Sequence, residues 1–226
     1  MRELRLERYS LVASDIQGMA TSGLIQYLMK QSKVSSIAQL IKVIKKQGEN
    51  VAVVGEEISH FWYLKNQGQP LRRLDKLKRI EQLFPQSLKQ LDHVLFELIS
   101  VGRDAGPNDF AWKVMCIHQP DFLVNFNLKI LPPEKIRKSS YWKTAKMLSQ
   151  VSTEGSYEAL ACLLYYYYTI QTCSVLHFPG GISLHTFLEN LLLKTSADIE
   201  KDMRPSYIKS QLMKTVHSII NNSILH

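Results

Sequence analysis

The residues with the clearest chemical potential are the cations that follow the break at Gly68-Gln-Pro70. Five basic side chains lie close together there: Arg72, Arg73, Lys76, Lys78 and Arg79. Asp75 is the one acid among them until Glu81. Guanidinium and ammonium groups at this density neutralise phosphate charge. The segment therefore predicts a phosphate-binding surface, with Arg72, Arg73, Lys76 and Arg79 as its contacts.

The whole chain shares this basic character. Its 226 residues include 28 Lys and Arg against 20 Asp and Glu, which gives a formal net charge of +8. An excess of this size favours polyanionic partners, such as nucleic acid or an anionic membrane surface. Many mildly basic proteins bind no polyanion, however, so charge alone leaves the partner open.

The sequence contains no segment typical of export or of a membrane span. The first ten residues, MRELRLERYS, alternate in charge and lack the apolar core of a signal peptide. The longest apolar run, 159–170, is shorter than the roughly 20 residues that a transmembrane helix needs. Cys116, Cys162 and Cys173 are an odd number without metal-like spacing, so no disulfide framework is predicted. We expect a cytoplasmic protein without membrane contact.

Catalytic and metal-binding patterns do not occur at the spacings that such chemistry requires. The seven histidines form no His-x3-His or HExxH pair, and there is no Cys-x2-Cys. Ser140-Tyr-Trp-Lys143 has the form Ser-x-x-Lys without the companion motifs of penicillin-recognising enzymes. Gly180-Gly181 lacks the rest of a phosphate-binding loop. We therefore expect no enzyme activity, no catalytic residue, no metal site and no cofactor.

A second basic patch follows later in the chain, around the aromatic residues Tyr141 and Trp142. Its cations are Lys135, Arg137, Lys138 and Lys143. Aromatic rings beside cations can stack on nucleic-acid bases. The same pattern also arises where lysine stems border the core face of a helix. The sequence leaves both interpretations open.

Helical periodicity dominates the chain and predicts an all-α, multi-helix protein. In the first half, helices are predicted from Ser14 or Asp15 as cap to Met29, over Ile37–Lys46, over Leu71–Phe84, and over Ser87–Ser100 with Gly102 just beyond its end. Gly18 and Gly23 weaken the first of these helices, and we expect them to allow close packing.

Gly106-Pro107 breaks any continuing helix and predicts two packed helical domains, 1–102 and 107–226. Helices are predicted in the second over 108–117, 133–151, 156–174, from Ser183 onward and over 205–221, while 121–130 reads as a strand or an extended link. Residues 156–174, which include the tyrosines 165–168, are apolar almost all round. Such a helix is expected to be central and buried on several sides.

The region 35–84 resembles the λ-repressor-like helix-turn-helix family. Ile37–Lys46 would supply one helix, and Val51–Glu57 a short second one. Ser59-His-Phe-Trp-Tyr-Leu-Lys65 falls where that family has its recognition helix. Asn66-Gln-Gly-Gln-Pro70 resembles the family's Gly-x-x-Pro turn, and Leu71–Phe84 resembles the leucine-rich helix that follows it.

This resemblance implies different roles for different side chains. In the family, the recognition helix enters the major groove of DNA and neighbouring helix ends hold phosphates. Four residues would then face the base edges: Ser59, His60, Tyr63 and Lys65. Trp62 and Leu64 would belong to the core of the module, and the basic helix would neutralise the backbone without reading sequence.

The charge and the resemblance together predict a DNA-binding regulatory protein, such as a regulator of transcription. Double-stranded DNA is the expected partner, and residues 107–226 are expected to serve dimerisation, as in a homodimer, or partner contact. The alternative is a non-enzymatic helical adaptor or assembly subunit that binds an acidic protein or RNA within a larger complex. Only the DNA regulator should strongly prefer one duplex sequence.

Overall fold

The structure is a computed structural model that describes residues 6–48, 57–104, 141–171 and 184–224. Every regular element in these ranges is helical, which confirms the all-α prediction. The helices are α1 (Glu7–Leu11), α2 (Ser14–Gln31), α3 (Ile37–Gly48), α4 (Glu57–Asn66), α5 (Leu74–Leu83), α6 (Val94–Asp104), α7 (Tyr141–Ser152), α8 (Tyr157–Gln171), α9 (Leu184–Lys201) and α10 (Tyr207–Ile224). A short 3-10 helix, Ser87–Gln90, lies between α5 and α6.

Several predictions concern residues outside the described ranges. These are most of the short helix Val51–Glu57, the helix over 108–117, the strand or link over 121–130, and the first part of the helix over 133–151. Lys135, Arg137 and Lys138 of the second basic patch lie outside them as well.

The chain divides into two compact units. The first consists of Met1–Glu97 and Met203–Leu212, and the second of Leu98–Asp202 and Met213–His226. These limits differ from the predicted domains, 1–102 and 107–226, because residues after 202 bond to the beginning of the chain. The backbone N–H of Ile208 donates to Ser22 Oγ at 3.2 Å, and Asn66 Nδ2 donates to the carbonyl of Pro205 at 3.1 Å.

Helix α2 forms the centre of the first unit. Twelve of its 18 residues are buried, and it packs against α1, α3, α4 and the 3-10 helix. The predicted cap at Ser14 or Asp15 is wrong, because Ala13 occupies the N-cap position without a side-chain hydrogen bond. The Ser14 hydroxyl instead accepts a hydrogen bond from Arg72 Nη2 at 3.1 Å.

The basic helix α5 begins at Leu74, three residues later than predicted. The backbone N–H of Leu71 donates to Tyr9 Oη at 2.9 Å and to Thr21 Oγ1 at 3.1 Å. Arg73 is extended, with φ −76° and ψ 114°. These bonds hold the chain before α5 against α2, so the helix starts only after Arg73.

The predicted helix over Ser87–Ser100 is wrong as a single element. The 3-10 helix covers Ser87–Gln90, and α6 starts only at Val94. Gln86 adopts a left-handed conformation with φ 67°, and the carboxylate of Glu81 accepts the backbone N–H groups of Gln86 at 2.6 Å and Leu88 at 3.0 Å. A side chain from α5 therefore accepts N–H groups at the start of the 3-10 helix, where a helix has no internal acceptors for them.

In the second unit α7, α8 and α9 pack against one another. All residues of α8 from Ala159 to Tyr168 are buried, which confirms that this helix is covered on several sides. The expectation that Gly102 follows the end of a helix is wrong, because Gly102 lies within α6 and is buried. The hydroxyl of Tyr168 occupies the space beside it and donates to the carbonyl of Leu98 at 3.1 Å.

Candidate nucleic-acid interface

The positive charge of the chain is concentrated in the first unit. That unit contains 17 of the 28 Lys and Arg and 10 of the 20 Asp and Glu, so its formal net charge is +7. The second unit contains 11 basic and 10 acidic residues, a net charge of +1. The positive potential is therefore expected to be stronger around the first unit than around the second.

The two acids of α5 are occupied by internal partners. Asp75 pairs with the guanidinium of Arg73 through bonds of 3.2 and 2.9 Å, and this pairing holds the pKa of the Asp75 carboxyl below its usual value. Glu81 accepts the backbone N–H groups that follow α5. Within the described ranges, Lys76, Lys78 and Arg79 have no carboxylate at ion-pair distance. Their charge is therefore available to a ligand.

Lys78 is exposed, whereas Lys76 and Arg79 are half-buried. Helix α5 packs against α3, which carries three more exposed lysines: Lys42, Lys45 and Lys46. Two neighbouring helices thus both present cations to solvent.

Arg72 differs from the other cations because neutral side chains hold it. Its Nε donates to Gln17 Oε1 at 3.0 Å, and its Nη2 donates to Ser14 Oγ at 3.1 Å. The side chain nevertheless remains exposed. Sequence reasoning placed Arg72 among the phosphate contacts but missed Ser14 and Gln17, since no local pattern links residues more than 50 positions apart.

Helix α4 presents two of the predicted base-reading residues to solvent. His60 is exposed, and Tyr63, one turn later, is 44% exposed. Trp62 is buried, as expected for a core residue, and packs edge-to-face against Phe61 with ring centroids 5.4 Å apart. Leu64 is only half-buried. The side chain of Ser59 lies outside the description.

Lys65 does not share the exposed position of these two residues. It is 9% exposed, and its ammonium donates to Gln69 Oε1 at 2.9 Å and to the carbonyl of Pro70 at 2.8 Å. The ring of Phe61 lies 5.3 Å from the same nitrogen. Burial, with a smaller contribution from the charge of Arg72, lowers the pKa of Lys65. This geometry gives Lys65 a structural role in the turn and argues against the predicted contact with bases.

The turn between α4 and α5 is fastened to the rest of the first unit. Gly68 has φ 93°, a conformation that favours glycine, and its carbonyl lies against Gly18 of α2. The expected close packing at Gly18 is thus present. The carbonyl of Asn66 accepts a hydrogen bond from Ser22 Oγ at 3.2 Å, and Asn66 Oδ1 accepts one from Gln26 Nε2 at 3.1 Å. The position of this turn determines the positions of Arg72 and of the first residues of α5.

The second basic patch contributes little to the described surface. Of its four residues only Lys143 falls in a described range, at the start of α7, and its side chain is not described. Whether this patch stacks on bases stays a sequence-based prediction.

Tyr167, His185 and Glu189 form a polar cluster in the second unit. His185 Nδ1 lies 3.0 Å from Glu189 Oε1, and Tyr167 Oη donates to the same oxygen at 3.4 Å. No group of three His, Cys, Asp or Glu residues able to hold a metal ion occurs in the described part of the chain. Nor is any helix of the described ranges long and apolar enough to cross a membrane.

Comparison of this chain with protein-family models, with curated proteins and with solved structures finds no match. The resemblance to helix-turn-helix proteins therefore stays a prediction from residues 35–84.

Proposed function

We propose that this protein is a DNA-binding regulator that holds the backbone of double-stranded DNA with the basic side chains of its first unit. The observation that supports the proposal concerns the hydrogen-bond and ion-pair partners of the charged side chains of α5. Its acids Asp75 and Glu81 are occupied internally, while Lys76, Lys78 and Arg79 keep their charge toward solvent. A cation without a carboxylate partner can displace the counterions that a phosphate backbone condenses, and their release drives binding.

The same unit offers groups for both parts of DNA recognition. Lysine and arginine side chains of α3 and α5 would neutralise phosphates and set the orientation of the duplex. His60 and Tyr63, exposed one turn apart on α4, would then approach base edges, where ring nitrogen and hydroxyl groups can donate or accept hydrogen bonds. Regulation of transcription is the role that such sequence-selective binding would serve.

The test is a fluorescence-anisotropy titration of a labelled random-sequence duplex at low and at physiological salt. We expect affinity to fall steeply with salt. Lys76→Ala/Arg79→Ala should make the negative slope of log K against log salt shallower, by about 0.9 for each phosphate contact removed. Lys194→Ala/Lys214→Ala is the matched control, because it removes the same charge from exposed positions of the second unit.

Two outcomes would overturn the proposal. The first is no duplex binding at low salt. The second is an equal loss of affinity in both double variants, which would mean that net charge alone attracts the duplex. A duplex RNA of the same sequence serves as competitor, and tighter binding of that RNA would favour the adaptor function instead.

A further inference from the structure

The guanidinium of Arg72 is held along one of its edges only. The Nε hydrogen and one Nη2 hydrogen, which lie along the same edge of the planar group, donate to Gln17 Oε1 and Ser14 Oγ. A guanidinium has five N–H groups, so three remain. In the described part of the chain these three have no acceptor, and two of them, on Nη1 and Nη2, form the end of the fork.

The position of Gln17 is itself determined by the fold. The residue is 8% exposed, and its Nε2 donates to the carbonyls of Tyr9 at 3.0 Å and Val12 at 3.1 Å. Both amide hydrogens are therefore used, and a flipped amide would turn its oxygen toward two carbonyl oxygens. Oε1 is thus directed at Arg72.

The backbone next to Arg72 is fixed as well. The N–H of Leu71 is held by Tyr9 Oη and by Thr21 Oγ1, at 2.9 and 3.1 Å. Leu71 itself is 1% exposed. Both ends of the Arg72 side chain are consequently anchored, although the side chain lies at the surface.

We propose that Arg72 is a preformed two-pronged phosphate contact, and that Gln17 and Ser14 are the residues that position it. The end of the fork, Nη1 and Nη2, binds two oxygens of one backbone phosphate. This inference rests on the proposed function and deepens it, because it singles out one cation among many. An arginine already ordered by the protein loses less conformational freedom on binding than a flexible lysine does.

The test compares two substitutions that keep the charge. Arg72→Lys retains the cation but cannot bond to Gln17, Ser14 and two phosphate oxygens together. Arg79→Lys is the matched control, since no side chain holds Arg79 in the described structure. We expect Arg72→Lys to weaken binding of the labelled duplex roughly tenfold, the value of one charge-assisted hydrogen bond, and Arg79→Lys by less than about twofold.

Ser14→Ala tests the positioning role without disturbing the core, because Ser14 is exposed. It should weaken duplex binding by about twofold to fivefold in the wild-type background and have no effect in the Arg72→Lys background. If Ser14 only stabilised the fold, Ser14→Ala would weaken duplex binding by the same small factor in both backgrounds.

Equal losses in Arg72→Lys and Arg79→Lys, or an effect of Ser14→Ala that is independent of residue 72, would overturn the inference while the wild-type protein still binds duplex. Absence of duplex binding by the wild-type protein at low salt would overturn the proposed function, and this inference with it. The two failures are thereby distinguishable.

Discussion

The carbonyl group of Gly68 lies directly against Gly18 of α2. A Cβ atom at Gly18 would overlap the Gly68 carbonyl oxygen and lie only 3.0 Å from its carbonyl carbon. Gly18→Ala therefore has to push the turn away from α2, and we expect it to lower the free energy of unfolding of the first unit by about 1–3 kcal/mol. Urea unfolding and hydrogen exchange of peptides from α2 and from the turn measure this loss.

Ser14→Ala is the control for Gly18→Ala, because it changes an exposed position of the same helix. Its effect on the free energy of unfolding should stay within about 0.5 kcal/mol. Unchanged stability of Gly18→Ala would show that the turn does not contact α2 in solution.

A second close approach, in α6, gives a prediction for the second unit. A Cβ atom at Gly102 would overlap the Tyr168 hydroxyl and come within 2.8 Å of its ring. Alanine is favoured over glycine inside a helix by up to about 1 kcal/mol. We nevertheless expect Gly102→Ala to destabilise the second unit by about 1–3 kcal/mol, since the ring has to move. Urea unfolding measures the difference.

Tyr168→Phe is the partner variant for this test. Alone it removes the hydrogen bond to the Leu98 carbonyl, which costs about 0.5–1.5 kcal/mol. Combined with Gly102→Ala, it also vacates the space that the new methyl group needs. The loss in the double variant should then be smaller than the sum of the two single losses. Additive losses would contradict the contact.

Local periodicity predicts the helices well because a helix is specified within its own sequence. The positions of α2, α3, α8 and α9 agree with it to within a few residues. Periodicity predicts the helix boundaries less well where a residue distant in sequence determines them. The start of α5 depends on Tyr9 and Thr21, and the 3-10 helix begins where the carboxylate of Glu81 accepts the N–H groups of Gln86 and Leu88.

The candidate interface shows the same division. Charge identifies α5 as basic from the sequence alone, and the exposure of Lys78 agrees with it. The burial of Lys65 could not be inferred, because its acceptors Gln69 and Pro70 are oriented by a turn that α2 holds in place. Residue type predicts the available chemistry, whereas the partners of each group depend on tertiary packing.

Lys65→Met tests the structural role of the buried ammonium. The carbonyl of Pro70 would lose its donor, and we expect the free energy of unfolding of the first unit to fall by about 1–3 kcal/mol. The salt slope of duplex binding, measured by anisotropy, should remain that of the wild-type protein. Lys78→Met is the matched control, since Lys78 is exposed: its stability should be unchanged and its salt slope smaller. A reduced salt slope in Lys65→Met would restore Lys65 as a DNA contact.

Asp75→Asn should strengthen duplex binding. The carboxylate pairs with Arg73 at the surface, so the substitution removes one negative charge from the interface and releases a guanidinium. We expect affinity at low salt to rise by roughly threefold to tenfold, and the gain to shrink as salt is added. Asp198→Asn is the control: it breaks a comparable surface pair with Lys201 in the second unit and makes the same change in net charge. An equal gain of affinity in both variants would show that net charge, and not the position of Asp75 on α5, determines the effect.

The buried ionisable groups of α8 should make the second unit sensitive to alkali. Burial raises the pKa of the Cys162 thiol from 9.0 to about 12, and burial likewise raises the pKa of the Tyr166 and Tyr168 hydroxyls above 10.0. Each group therefore keeps its proton in the folded state at a pH where the unfolded chain has lost it. Its contribution to stability is complete below the unfolded pKa and is lost as the pH rises toward the folded one.

We accordingly expect the free energy of unfolding of the second unit to fall from about pH 9 upward, by at most about 1.4 kcal/mol per pH unit for each such group. Urea unfolding in steps of pH measures the fall. Cys162→Ala removes one of these groups, so its stability should decline less steeply with pH than that of the wild-type protein between pH 9.0 and about 12.

Iodoacetamide labelling of the peptide that contains Cys162 gives an independent measurement. The thiol is fully buried, so it should react in urea and stay unmodified in the folded protein. Parallel wild-type and Cys162→Ala curves, together with rapid labelling under native conditions, would show that α8 is not covered as described.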